Sequence, residues 1–210
     1  MTTMDASRPT IVVFDLGGVL VDWNPRYLYR SLFGGDDAAM ERFLAEVCTP
    51  AWNDEQDRGR PWAEACELLA RRHPEHRALI EAWPARFDET MAGPVRGTVE
   101  VLAELRERGV PLYALSNWAA ETFPHALARF PFLQWFRGTV ISGAVRIRKP
   151  DDGIYRHLFD TYGLRAGDTL FVDDSLPNIE AATRLGMRAV QFTDAAALRG
   201  TLVEHGLLDA

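Results

Sequence analysis

From Gly93 onward, short apolar runs alternate with segments of helical periodicity, and this pattern narrows the fold more than any other feature. Thr98 can cap a helix whose Val99, Leu102 and Leu105 share one face, with Gly109 as its stop. Residues 112–115 then read as a strand, followed by a helix through Phe123 and Leu127, and residues 139–141 as another strand. Asp151 opens a helix carrying Ile154, Leu158 and Tyr162 at helical spacing, and Gly163 closes it. A strand at 170–172, a helix at 175–185 ended by Gly186, and a strand at 189–192 continue the rhythm. Strands alternating with helices predict a parallel sheet covered on both faces, an α/β, Rossmann-like doubly wound arrangement. An opening run, Ile11-Val12-Val13-Phe14, is continuously apolar and β-branched, as suits a strand buried on both sides, and it ends at Asp15 before Gly17-Gly18.

Between this first strand and the alternating region, residues 24–90 show helices and no clear strand. The stretch contains Trp52, Trp62 and Trp83, and Pro50, Pro61, Pro74 and Pro84 break it into short pieces. It reads as a helical cap inserted after the first strand. The expected division is a core of residues 10–22 and 92–210, and a cap of residues 23–91.

Composition excludes several classes of function. With 47% hydrophobic and 25% charged residues over 210 positions, the chain is of ordinary globular type. A net charge of −7 argues against a nucleic-acid partner, because phosphate backbones need clustered Lys and Arg. No apolar run approaches the roughly 20 residues that span a bilayer, and Met1 to Pro9 is polar, so no membrane partner and a cytoplasmic location are expected. Cys48 and Cys66 are expected as free thiols on helices. A monomer or homodimer is the expected state.

In open parallel sheets, ligands bind beyond the carboxyl ends of the strands. The residues just past each apolar run are Asp15, then Ser116-Asn117, then Asp173-Asp174, with Lys149 in a loop after the strand at 139–141. Each has a purely structural reading: Asp15 as a turn residue, Ser116 as a helix cap, Asp173-Asp174 as first-turn acids, Lys149 as a surface lysine. Together they make one chemistry. Clustered carboxylates repel unless a cation holds them, and oxygen-only donors favour Mg²⁺ over zinc. A carboxylate can attack phosphorus while a hydroxyl, backbone N–H groups and a lysine hold the phosphate oxygens.

Four motifs in this order, Val-Phe-Asp15-Leu-Gly17-Gly-Val-Leu-Val-Asp22, Ala-Leu-Ser116-Asn117, Arg-Lys149-Pro150-Asp151 and Phe-Val-Asp173-Asp174-Ser-Leu-Pro-Asn178, resemble those of the haloacid dehalogenase-like superfamily. The match covers nearly the whole chain, and the helical insertion looks like the family's first class of cap. The resemblance implies a Mg²⁺-dependent hydrolase of a small phosphorylated molecule, with Asp15 as nucleophile and metal ligand. It places the Gly17 carbonyl and Asp174 on the metal, Asp173 near it through water, Ser116 and Asn117 on the phosphoryl group, and Lys149 as its neutralising cation. The cap and the loop from Asp22 to Arg26 would select the substrate.

The chain departs from the family pattern at Gly17, where most of the phosphatases carry a second aspartate that protonates the leaving group. The same Asp-x-Gly opening, with an acid near Asp22, resembles the glucose-1-phosphate phosphatase-like subgroup, which points to a sugar 1-phosphate or similar activated ester. Asp22 as a replacement acid, or simply as a turn residue, is left open. Two rivals stand beside this reading. One is a metal-independent 2-haloacid dehalogenase, which the paired acids Asp173 and Asp174 disfavour because without a cation they would repel Asp15. The other is a non-catalytic phosphate-binding protein on the same scaffold. Trp23, Trp52 and Trp118 are expected either to line a pocket or to pack in the core.

Overall fold

A computed structural model describes residues 8–209, and the first seven residues of the polar N-terminal stretch lie outside it. In chain order the elements are β1 (Ile11–Phe14), β2 (Val21–Trp23), α1 (Pro25–Leu32), α2 (Asp37–Glu46), α3 (Pro50–Asp57), α4 (Trp62–Arg72) and α5 (Arg77–Ala85). There follow β3 (Met91–Pro94), α6 (Thr98–Glu107), β4 (Leu112–Ser116), α7 (Phe123–Arg129), β5 (Gly138–Ile141), α8 (Ser142–Val145) and α9 (Asp152–Tyr162). The chain ends with β6 (Thr169–Asp173), α10 (Leu176–Arg184), β7 (Arg188–Gln191) and α11 (Ala195–Glu204).

Five strands form one sheet in the order β5-β4-β1-β6-β7, every pairing parallel. Strand alternation sorts the apolar side chains between its two faces. Val12, Phe14, Leu112, Ala114, Leu170 and Val172 join one cluster, with Leu102 and Leu105 of α6 and Leu198 and Leu202 of α11. Val13, Leu115 and Phe171 join the other, against Ile154, Tyr155 and Leu158 of α9 and Ala181 and Ala182 of α10. The sheet is therefore doubly wound. Because β1 lies between β4 and β6, Asp15 emerges at the point where the strand order reverses, which is where such sheets bind ligands.

The helical segment is closed at its base by a feature the sequence did not suggest. β2 and β3 pair antiparallel, with Val21 opposite Pro94 and Trp23 opposite Met91, so the strands entering and leaving α1–α5 are joined. Three- and four-residue strands are too short to show a period, which is why the pattern gave no sign of them. The proline breaks fall as expected: Pro50 starts α3, Pro61 precedes α4 and Pro74 opens a 3₁₀ turn, whereas Pro84 is tolerated inside α5. Cys48 and Cys66 are free, buried thiols; Cys66 lies within α4, and Cys48 just beyond the end of α2. Among the described residues no helix is long and apolar enough to cross a membrane.

Candidate active site

Asp15 is the first residue past β1, and its backbone N–H still donates to the Val172 carbonyl, at 2.8 Å. Its carboxylate is held on one side only. Ser116 Oγ donates to Oδ1 at 2.8 Å, the Leu16 N–H donates to the same oxygen at 2.7 Å, and Lys149 Nζ stands 2.9 Å from it. Among the described residues, Oδ2 has no such partner.

Lys149 has no solvent exposure and bridges two carboxylates, since its Nζ also lies 2.6 Å from Asp173 Oδ2. Burial works to lower the Lys149 pKa, but the two carboxylates outweigh it and hold the group above its ordinary value. Asp173 is itself fully enclosed. The Ser175 N–H donates to its Oδ1 at 2.8 Å, and Asn178 Nδ2 reaches both oxygens, at 2.9 and 3.1 Å. The family motif contains Asn178, yet its part in fixing Asp173 emerges only from the packing of α10 under β6.

Asn117 lines the cavity above Asp15, but its amide is already engaged. Nδ2 donates to the Lys149 carbonyl at 3.0 Å, and Oδ1 accepts from the Lys149 N–H at 2.8 Å. It is expected on the phosphoryl group, and the structure adds that its side chain clamps the Lys149 backbone, which leaves its own backbone to face the cavity. Asp22 was expected at the substrate, and the structure places it elsewhere. The strand shifts register between Asp22 and Trp23, sending Trp23 into the cavity lining, while Asp22 accepts from Tyr27 Oη at 2.8 Å outside it.

The acid cluster is compact: Asp15, Asp173 and Asp174 each offer an oxygen within 4.8 Å of the others. Gly18 makes room for this, since a Cβ there would lie 2.5 Å from Asp174 Oδ2. Desolvation, followed by the neighbouring Asp173, drives the carboxyls of Asp174 and Asp15 upward, although Lys149 opposes it. Asp15 reaches about 7. Three carboxylates facing a single lysine are short of positive charge.

The cavity over this cluster has a volume of about 850 Å³. Its far wall is helical and was invisible in the sequence: α3 presents Asn53, Asp54 and Asp57. Asp54 pairs with Arg148 at 2.8 Å, joining the helical segment to the loop that carries Lys149. A smaller recess of about 70 Å³ adjoins, lined by Trp23, Trp62, Phe87 and Trp118 together with Gly17, Asn53, Asp57 and Asn117. Trp52 does not reach it and packs edge-on to Trp62 and Trp83.

A family model described as a haloacid dehalogenase-like hydrolase matches residues 9–186. The chain is similar to a sesquiterpene phosphatase of Aspergillus oryzae, 29% identical over 88% of this chain and 90% of the relative. It is also similar to a phosphoglycolate phosphatase of Pectobacterium atrosepticum, 26% identical over 87% of this chain and 79% of the relative. A haloacid dehalogenase-family enzyme of Bacteroides thetaiotaomicron, solved with magnesium and inorganic phosphate, shares the fold with a TM-score of 0.68 at 21% identity, over 89% of this chain and 95% of that one. With the matched model spanning every strand of the sheet except β7, this protein belongs to the haloacid dehalogenase-like hydrolases.

Proposed function

We propose that the protein is a magnesium-dependent phosphatase acting on a small phosphate monoester, with Asp15 as its nucleophile. One observation carries this reading. Three donors converge on Asp15 Oδ1 and leave Oδ2 free beneath a cavity able to hold a small molecule. An oxygen so oriented can attack phosphorus in line with the departing ester oxygen.

The residues fit a divalent cation. The donors are all carboxylate oxygens, and burial has left Asp15 and Asp174 wanting positive charge. Asp15, Asp174 and the Gly17 carbonyl would hold it, with Asp173, whose oxygens are already engaged, acting from behind. When bound, the ion offsets the repulsion between the nucleophile and the phosphate. Lys149 favours the ionised form of Asp15 and orients Oδ1, and Ser116 fixes the same oxygen, so the carboxylate is set before substrate arrives. The helical segment over the cavity acts as the cap that selects the ester. Sugar 1-phosphates are the first candidates, since their leaving group departs more readily than a simple alkoxide.

The test is phosphate release from a panel of sugar 1-phosphates, phosphoglycolate and an isoprenyl phosphate, with Mg²⁺ and with EDTA. We expect metal-dependent turnover that Asp15→Asn abolishes. No release from any ester would overturn the proposal, and halide release from 2-haloacids would then be measured.

A further inference from the structure

Expelling an alcohol from a phosphate ester requires a proton on the departing oxygen, because an alkoxide leaves poorly. Position 17 is glycine, and a Cβ built there meets nothing within 4 Å, so the turn beside the nucleophile offers space and no proton. A donor must come from elsewhere on the wall.

Most of the ionisable groups there are already committed. Asp15 is the nucleophile, and Asp174 belongs to the acid cluster. Arg26 holds Glu41 at 2.6 Å, and Arg148 holds Asp54 at 2.8 Å. Burial pushes the Cys48 thiol up to about 12, too weak an acid to serve near neutral pH. Asp57 is different. It ends α3, is only 9% exposed, and among the described residues has no ion-pair partner; its one side-chain hydrogen bond comes from Asn53 Nδ2 at 3.3 Å. It lines both the main cavity and the aromatic recess, and Gly17 does the same.

We propose that Asp57, carried by the helical segment, is the acid and base of this site, with the leaving group lodged in the recess beside Trp23, Trp62 and Trp118. The inference rests on the phosphatase reading. In the first half-reaction an Asp15 oxygen bonds to phosphorus and the bond from phosphorus to the ester oxygen breaks. That oxygen keeps the electron pair and takes the Asp57 proton, giving a free alcohol and an Asp57 carboxylate. In the second, Asp57 takes a proton from water as the water oxygen bonds to phosphorus. The bond from phosphorus to Asp15 then breaks, releasing inorganic phosphate and restoring both aspartates.

The surroundings suit the task. Burial raises the Asp57 carboxyl to about 7; Arg148 and Lys149 pull it down, and Asp54 and Asp15 push it up. A carboxyl in that range is partly protonated at neutral pH, where both roles are needed.

The experiment compares wild type, Asp57→Asn and the double variant Asp57→Asn/Gly17→Asp on an alkyl phosphate and on p-nitrophenyl phosphate, whose leaving group needs no proton. Asp57→Asn should lose about 10²–10⁴-fold in kcat/KM on the alkyl ester and little on the aryl ester. In wild type, the alkyl kcat/KM should fall as pH rises through the Asp57 pKa, and the variant should lack that limb. Adding Gly17→Asp, where the space is open, should recover much of the loss. Aryl kcat/KM, which ends at formation of the aspartyl-phosphate and leaves out the water step, reports folding, and Asp57→Ser serves as a second neutral variant. Equal losses in kcat/KM on both esters, or an unchanged alkyl kcat/KM, would overturn the role of Asp57 while leaving the phosphatase standing. A wild type inactive on both esters would remove the phosphatase reading, and this role with it.

Discussion

Gly17 and Gly18 are adjacent, yet a methyl group would have opposite consequences at the two positions. At Gly18 the backbone has φ +76°, and a Cβ would sit 2.5 Å from Asp174 Oδ2, a carboxylate with a task. At Gly17 the φ lies outside the left-handed region and the space is open. Gly18→Ala should therefore cost roughly 1–2 kcal/mol of backbone strain and displace Asp174. Magnesium affinity, read by calorimetry on the folded variant, should drop at least tenfold. Gly17→Ala should bind the ion nearly as wild type does. Equal affinities for the two variants would show that Asp174 is not a ligand. This contrast was hidden in the sequence, where nothing about Gly18 beyond its place in a turn sets it against Asp174.

Helix α3 shows what periodicity can and cannot tell. Pro50 and the capping hydroxyl of Thr49 account for its start, and a helical stretch was expected there. Nothing in its spacing says that Asn53 and Asp57 face a cavity built from strands distant in the chain, because that depends on how the helix docks. The docking relies on bare backbone. Gly59, at φ +95°, would place a Cβ 2.8 Å from the Gly143 carbonyl, and Gly143 in turn lies against the backbone of Trp118 and Ala120. Gly59→Ala should tilt α3 away from the site. Gly109 is also left-handed, at φ +75°, but faces open space, so Gly109→Ala separates strain from displacement. Both variants should lose stability in a thermal melt, Gly59→Ala at least as much as Gly109→Ala, and only Gly59→Ala should lose turnover. Matching kinetics would show that the position of α3 does not matter to the site.

For the molecule as a whole, the parallel sheet and the meeting of strand-end residues were legible because both follow from short-range pattern and one topological rule. Asp15, Ser116 and Asp173 are set close together by strands whose apolar runs end where the sequence says they end, and Lys149 joins them from the loop beyond α8. The β2–β3 ladder, the clamp of Asn117 on Lys149 and the α3 wall were not legible, since each depends on contacts between segments distant in sequence. β1 is the central strand of the sheet, hydrogen-bonded to β4 and β6 with both of its faces covered, whereas β7 is an edge. Opening of a folded protein begins where few contacts must break. The amides of Val12, Val13 and Phe14 should therefore exchange with deuterium only when the entire chain unfolds, and those of β7 and α11 much earlier. Comparable exchange in β1 and β7 would contradict this. The strand that aims the nucleophile lies at the centre of the sheet, so a molecule that has opened only at β7 and α11 still carries Asp15 in register and should keep its activity on warming until an inner part of the fold gives way.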